Sequence, residues 1–313
     1  MQTQTINSTN ELLDFRKSLP EHRPFWFRGQ SDVSWSLIPS FYRGVEHFNP
    51  IVDAAHDSQW LGQLERDVYR EFDRRGRLFA PTEWDFKDPW HRLILAQHFG
   101  APTRLVDWSM NVLIAAYFAV TDHKDRDGAI WCLSASDFPV PREVGRPTVT
   151  GGYRIEALNS CINRERLSFL MPVSHQLASN ISSSSQPPTS QAIPSSQAGD
   201  PDFEGFMVLL EPPLLDGRIH SQKGLFTVYV SYAEEELVCD HQAYIERVEK
   251  NNSIQCLTKL VIPMNTKEEI RRSLKNGMIE DDDVFPDLPG LVKRLESQRK
   301  DEFESSGRRP KTP

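Results

Sequence analysis

Cysteine is scarce and scattered. Four stand in 313 residues, Cys132, Cys161, Cys239 and Cys256, without the close pairs of a zinc site or a disulfide framework. They read as reduced packing residues. No apolar run approaches the roughly eighteen residues that a membrane span needs. The opening "MQTQTINSTNELLDF" has neither the basic region nor the apolar stretch of a secretory signal. A cytoplasmic protein without a membrane partner is expected. There is no GxxxxGK[ST], no GxGxxG after a strand and no HExxH, so neither a phosphate loop, a dinucleotide Rossmann site nor a metal is indicated. Positive charge is also short: 36 Lys and Arg stand against 44 Asp and Glu, a net charge of -8. Nucleic acid is therefore not an expected partner, because phosphate contacts need a basic surface.

Hydrophobic residues make up 38% and aromatic residues 10% of the chain, enough for a packed core. Helical signals recur. Ser8 stands three residues before Glu11, a capping-box spacing, with Pro20 beyond the helix end. "WLGQLERDVYREFDRRGRLF" has apolar residues at helical spacing and can stop at Gly76. "DPWHRLILAQHFG" carries Pro89 in its first turn and Gly100 at its end. "MNVLIAAYFAV" is apolar nearly all round and reads as a buried helix. "TKEEIRRSLKNG", with Thr266 as N-cap and Gly277 as stop, and "LPGLVKRLESQRKDEF" are further helices. The acidic run from Glu280 to Asp283 reads as a solvated turn. "FWFRG", "GAIWCLSA", "GFMVLLEPP", "GLFTVYVS" and "KLVIP" read as strands. Strands and helices mix without regular βαβ alternation, which predicts an α+β fold: a mixed or antiparallel sheet flanked by helices. Residues 179–200 are rich in Ser, Pro and Gln and read as a disordered loop. It separates residues 1–178 from 201–300 of one domain, followed by a frayed tail at 301–313.

Three constellations carry the chemistry. In "FWFRGQ", strand alternation sends Trp26 and Arg28 one way and Phe25 and Phe27 into the core. Gly29 lets a ligand or another backbone approach. Arg28 is then either a clamp for an anion or half of a buried ion pair, since a guanidinium suits both. In "AQHFGAPTRLVDWSMN", Gln97, His98, Thr103, Arg104, Asp107, Trp108, Ser109 and Asn111 crowd between two apolar helices. Such loops often house binding sites. Arg104 and Asp107 could pair with each other, and Ser109 or Asn111 could cap the next helix. In "GRIHSQKGLFTVYV", Arg218, His220, Ser221, Gln222 and Lys223 stand at the entrance to a strand.

These motifs, in this order, resemble the FRG domain family, named for the F-R-G that stands here as Phe27, Arg28 and Gly29. The likeness runs through "FWFRGQS", "QHFGAPTRLVDWSMNVLIAAYFA", "RIHSQKGLFTV" and "VFPDLPGLVKRL". Beneath it lies a likeness to ADP-ribosyltransferases, which have an early strand ending in Arg-Gly or His-Gly. Their middle motif, a hydroxyl residue before an A-x-x-F-A type of helix, is similar to Ser109 with Ala116, Phe118 and Ala119. Their third motif ends in a glutamate. Here Gln222 takes that place, and an amide supplies much less stabilising field to an oxocarbenium-like transition state.

The resemblance implies an ADP-ribosyltransferase-like fold and an NAD-using toxin or defence effector, with NAD as substrate and a protein target. Arg28 would hold the pyrophosphate and Ser109 the nicotinamide ribose, with Gln222 on ribose and Asp107 or Glu211 as the substitute carboxylate. Trp26, Gly29, Gln30, His98, Arg104 and Trp108 would complete the ligand site. Two other readings stand beside it. One is a module that binds a nucleotide or a protein without catalysis; the other is a nuclease using His98, Arg104 and Asp107.

Overall fold

A computed structural model of the chain describes residues 2–44, 55–79, 88–139, 147–155, 205–213, 217–231 and 240–305. The loop at 179–200, Cys161 and Cys239 lie outside the described residues. The strands are β1 (Gln2–Thr5), β2 (Phe25–Gln30), β3 (Val106–Ser109), β4 (Gly128–Ser134), β5 (Tyr153–Arg154), β6 (Gly205–Glu211), β7 (Gly224–Ser231) and β8 (Leu257–Ile262). They form one eight-stranded mixed sheet in the order β1-β8-β4-β2-β3-β7-β6-β5. The two outermost pairings, β1 with β8 and β5 with β6, are parallel, and the pairings between them are antiparallel. The helices are α1 (Thr9–Ser18), α2 (Ala55–Gly76), α3 (Pro89–His98), α4 (Val112–Val120), α5 (Gly217–Gln222), α6 (His241–Asn252), α7 (Lys267–Asn276), α8 (Asp281–Val284) and α9 (Leu288–Ser305). Among the described residues no helix is long and apolar enough to cross a membrane.

Both faces of the sheet are buried. On one, Phe27, Ile130 and Leu260 pack against Leu12 of α1, against α4, and against Ile270 and Leu274 of α7. On the other, Trp26, Trp131, Trp108 and Val228 pack with Trp90 and Leu93 of α3 and with Tyr244 and Val248 of α6. Strand alternation therefore separates two cores here, because helices cover both sides. Trp26 belongs to the second core. It is fully buried, and its indole donates to Thr150 O at 2.7 Å.

The start signals hold where their hydrogen bonds form. Ser8 Oγ accepts from Glu11 N at 3.2 Å, and Glu11 Oε2 accepts from Asn7 N at 2.9 Å. Asp88 caps α3 ahead of Pro89, and Asn111, not Ser109, caps α4 by accepting from Leu113 N at 3.0 Å. Thr266 departs from expectation: its hydroxyl donates to Pro263 O at 2.8 Å instead of capping α7. The acidic run is the short helix α8, and Asp281 within it is buried against Tyr117, Lys293 and Ser297. The expected frayed tail is helical to Ser305, and Asp301 bridges Arg271 and Lys275.

Gly29 has its reason in packing. A Cβ built there would lie 1.8 Å from Ala115 O and 2.9 Å from Ala119 N. Gly128 on the neighbouring strand meets Ala119 O at 2.4 Å in the same way. Helix α4 thus rides on β2 and β4 with its backbone nearly touching theirs. The space at Gly29 admits a helix, not a ligand.

Candidate functional site

The C-terminus of α3, strand β3 and the α5–β7 junction meet around a cleft of about 40 Å³, lined by Gln97, His98, Asp107, Trp108, Arg218 and Gln222 over an apolar floor of Ile219, Leu225 and Phe226. Sheet order explains the meeting. Strand β3 lies between β2 and β7, with Phe27 opposite Ser109 and Ser109 opposite Gly224. The two later motifs are thus hydrogen-bonded neighbours, although more than a hundred residues separate them in the chain.

Asp107 is the centre of the cluster. Arg28 Nη1 donates to Asp107 O at 2.8 Å and lies 3.3 Å from its Oδ2. Gln97 Nε2 donates to both carboxylate oxygens at 2.8 and 2.9 Å, and Gln97 Oε1 accepts from Thr103 Oγ1. The Asp107 side chain is 52% exposed while that of Arg28 is 13% exposed. Burial lowers the pKa of Arg28; Asp107 counteracts this, and Arg43 adds to the lowering. Arg28 is therefore both partly paired and close to the surface. The carboxylate it steadies faces the cleft.

The remaining predicted residues divide. Ser109 Oγ donates to Gln222 O at 2.6 Å and accepts from Asn111 N at 2.9 Å, so it ties β3 to the end of α5. Gln222 lines the cleft, with its Nε2 donating to Val284 O at 3.1 Å. The expected loop around it is the short helix α5. His98 lines the cleft, its ring edge-on to Phe99, and its carbonyl accepts from Arg218 Nη1 at 3.1 Å. Gln30 is a buried strut: its Oε1 accepts from Trp131 Nε1 at 2.6 Å and its Nε2 donates to Ser36 O at 3.0 Å.

Arg104 does not join Asp107. Its guanidinium forms a two-pronged pair with Glu65, donating from Nε to Oε1 at 2.7 Å and from Nη2 to Oε2, with both side chains buried. Burial opposes its charge, yet Glu65, Tyr42 and Tyr69 hold its pKa above the ordinary guanidinium value. The grouping of His98, Arg104 and Asp107 that a nuclease would need is not assembled. Glu211 lies on β6, two strands beyond β3. Its carboxylate accepts from Thr148 and Thr150, away from the cleft.

Sequence reasoning missed two residues of this region. Glu65 stands on the apolar stripe of α2 with Leu61 and Tyr69, and a charge in such a stripe signals a buried partner. His241 opens α6 behind the N-cap Asp240, whose Oδ1 accepts from Gln242 N at 2.8 Å. It is fully buried, with its Nδ1 2.9 Å from Thr227 Oγ1, and Thr227 Oγ1 accepts from Trp108 Nε1 at 3.0 Å. Burial, with Arg28 and Arg104 nearby, pushes His241 down to about 3.

That shift has a sign. The folded protein keeps His241 neutral while the unfolded chain protonates it near pH 6.5. Its stabilising share is complete above about pH 6.5 and falls as the pH drops toward about 3. At about 1.4 kcal/mol per pH unit, acidification to pH 5 should cost about 2 kcal/mol. Denaturant unfolding at pH 8 and pH 5 checks this. His241→Gln should flatten the slope, and an unchanged slope would remove the assignment.

A mixed α/β domain with a polar cleft beside its central strands is the class that this architecture defines. Within it, residues 23–128 match the family model of the FRG domain, and the chain carries an FRG domain over this span. The match takes in β2, α2, α3, β3 and α4 and ends as β4 begins. The α5–β7 wall of the cleft lies outside it. No curated protein and no solved structure matches the chain.

Proposed function

We propose that an NAD-type dinucleotide lies across the mouth of this cleft with its ribose against Asp107, and that the protein transfers ADP-ribose from it. The observation that carries this reading is the presence of Asp107 beside Gln222 in one cleft. The third motif lacks its acid, and the adjacent strand supplies one. Arg28 and Gln97 orient the Asp107 carboxylate and leave it half exposed. It would stabilise positive charge on the ribose as the bond from its anomeric carbon to nicotinamide breaks. The bonding pair leaves with nicotinamide, and the acceptor's nucleophile takes its place and gives up a proton.

Purified protein incubated with NAD and a cell extract should release nicotinamide and label a target. Asp107→Asn should cut the rate at least about a hundredfold, the range for loss of one preorganised electrostatic group. Arg28→Lys keeps the charge and loses the fork. It should melt close to wild type, because the carboxylate it pairs with is 52% exposed and stays solvated without the fork, yet lose most activity. NAD binding without turnover would replace transfer with a binding module, a reading favoured by the commitment of the Ser109 hydroxyl and the Gln222 amide to backbone carbonyls. Wild-type activity in Asp107→Asn would overturn the assigned role.

A further inference from the structure

The C-terminal helix α9 is turned inside out. Between residues 288 and 303 only Gly290, Arg294, Ser297 and Asp301 are not exposed, and their spacing puts them on one face. A Cβ on Gly290 would lie 1.9 Å from Phe285 O, so the helix backbone rests directly on the chain before it. Arg294 Nη1 donates to the two carboxylate oxygens of Asp282 at 2.9 and 2.7 Å, and Ser297 Oγ donates to Asp281 Oδ2 at 3.2 Å. Asp301 accepts from Arg271 at 3.1 Å and from Lys275 at 2.9 Å. These polar contacts fix the rotation of the helix. Its apolar residues cannot roll inward without breaking them.

Leu288, Leu291, Val292 and Leu295 stand on the opposite side, as 3.6 residues per turn requires. They are 76%, 42%, 54% and 54% exposed. Scattered exposed leucines are ordinary, but a continuous stripe on a helix whose polar face points inward marks a contact surface. Two features of the stripe select what covers it. Its spacing reads the same in both directions: Leu288 and Leu295 each stand three residues outside the central pair Leu291 and Val292. A second copy running the other way would set Leu288 against Leu295 and Leu291 against Val292, each contact made twice. A twofold interface needs that self-complementarity. Charge follows the same symmetry. Asp283 and Asp287 are exposed at the start of the stripe, and Arg299 and Lys300 are exposed beyond its end. Reversing one copy lays the basic end of each helix along the acidic end of the other.

We propose that α9 is a homodimerisation surface, on which the stripe from Leu288 to Leu295 packs antiparallel against the same stripe of a second copy across a twofold axis between Leu291 and Val292. The proposal does not rest on the reading of the cleft. Four apolar side chains cover less than the roughly 800 Å² per partner of a standard interface, so the dimer is weak and concentration-dependent.

Sedimentation equilibrium of the full chain, from micromolar to near-millimolar concentration, tests it. The mass of wild type should rise from monomer toward dimer. Val292→Glu should melt like wild type, because the side chain is exposed, and should dimerise at least about tenfold more weakly, as loss of a buried valine contact predicts. Leu288→Lys, at the most exposed of the four, carries the same test if Val292→Glu does not fold. A wild type that stays monomeric throughout, or a dimer that either folded variant leaves unchanged, would overturn the proposal. Disulfide trapping under mild oxidation reads the orientation. Leu288→Cys chains should cross-link with Leu295→Cys chains and poorly with one another. Trapping mainly between two Leu288→Cys chains would overturn the antiparallel arrangement.

Discussion

Gly29→Ala should leave the chain unable to fold to its native state, with loss of soluble protein or of a cooperative melt. The added methyl would sit 1.8 Å from Ala115 O and 2.8 Å from its carbonyl carbon. Both are backbone atoms of α4 and cannot rotate aside. The helix would have to lift from β2, and with it the contacts of Ala115, Ala116 and Ala119 beneath it. Overpacking costs about 1–3 kcal/mol when side chains can adjust, and more when backbone must move. The whole stability of a domain is about 5–15 kcal/mol. Gly62→Ala is the matched control: its nearest neighbour is the flexible Arg66 side chain at 3.6 Å. That variant should be unharmed or more stable by about 0.5–1 kcal/mol, because alanine suits a helix better than glycine. A Gly29→Ala protein that melts within a few degrees of wild type would show that α4 does not ride on β2 this closely.

The second large effect is expected at Glu65. Glu65→Ala would strand Arg104, whose side chain is 6% exposed, without its counter-charge. Breaking a buried pair from one side costs about 3–5 kcal/mol, whereas apolar replacement of both partners is often neutral. Denaturant unfolding should therefore show a severe loss in Glu65→Ala and substantial recovery in Glu65→Met with Arg104→Met. Tyr42 Oη lies 3.4 Å from Glu65 Oε2 and would keep part of the effect in the double variant. Asp107→Asn provides the contrast, since the Asp107 side chain is 52% exposed and the amide keeps an oxygen as acceptor, so the change should cost at most about 1 kcal/mol. If Glu65→Ala and Asp107→Asn proved equally mild, the division of the two arginines into a structural and a functional one would fall.

Those two arginines mark where sequence reading stops. Arg28 and Arg104 stand in similar settings, each near a glycine or a turn and each with Asp107 within reach along the chain or in space. Their partners were settled by α2, whose Glu65 arrives from 39 residues upstream to claim Arg104. Trp26 and Trp108 show the same limit. Alternation put each on a definite face, but whether that face was open depended on α3 and α6 closing over it. His241 and Asp107 share a neighbourhood through Trp108 and Thr227, and no spacing in the chain announces that meeting.

Local signals were legible because their physics is local. Ser8 and Asn111 satisfy the first N–H groups of their own helices, and the uniformly apolar "NVLIAAYFAV" has no polar face to show water. Composition called for a packed core, the interspersed strand and helix signals called for a mixed domain, and the motifs in their order carried the FRG likeness. The sheet order decided the rest. Placing β3 between β2 and β7 joined motifs far apart in sequence, gave the Gly29 space to α4, and set Asp107 in the cleft beside Gln222. These outcomes depend on which surfaces pack against each other, and long-range packing energies are not encoded in any one segment.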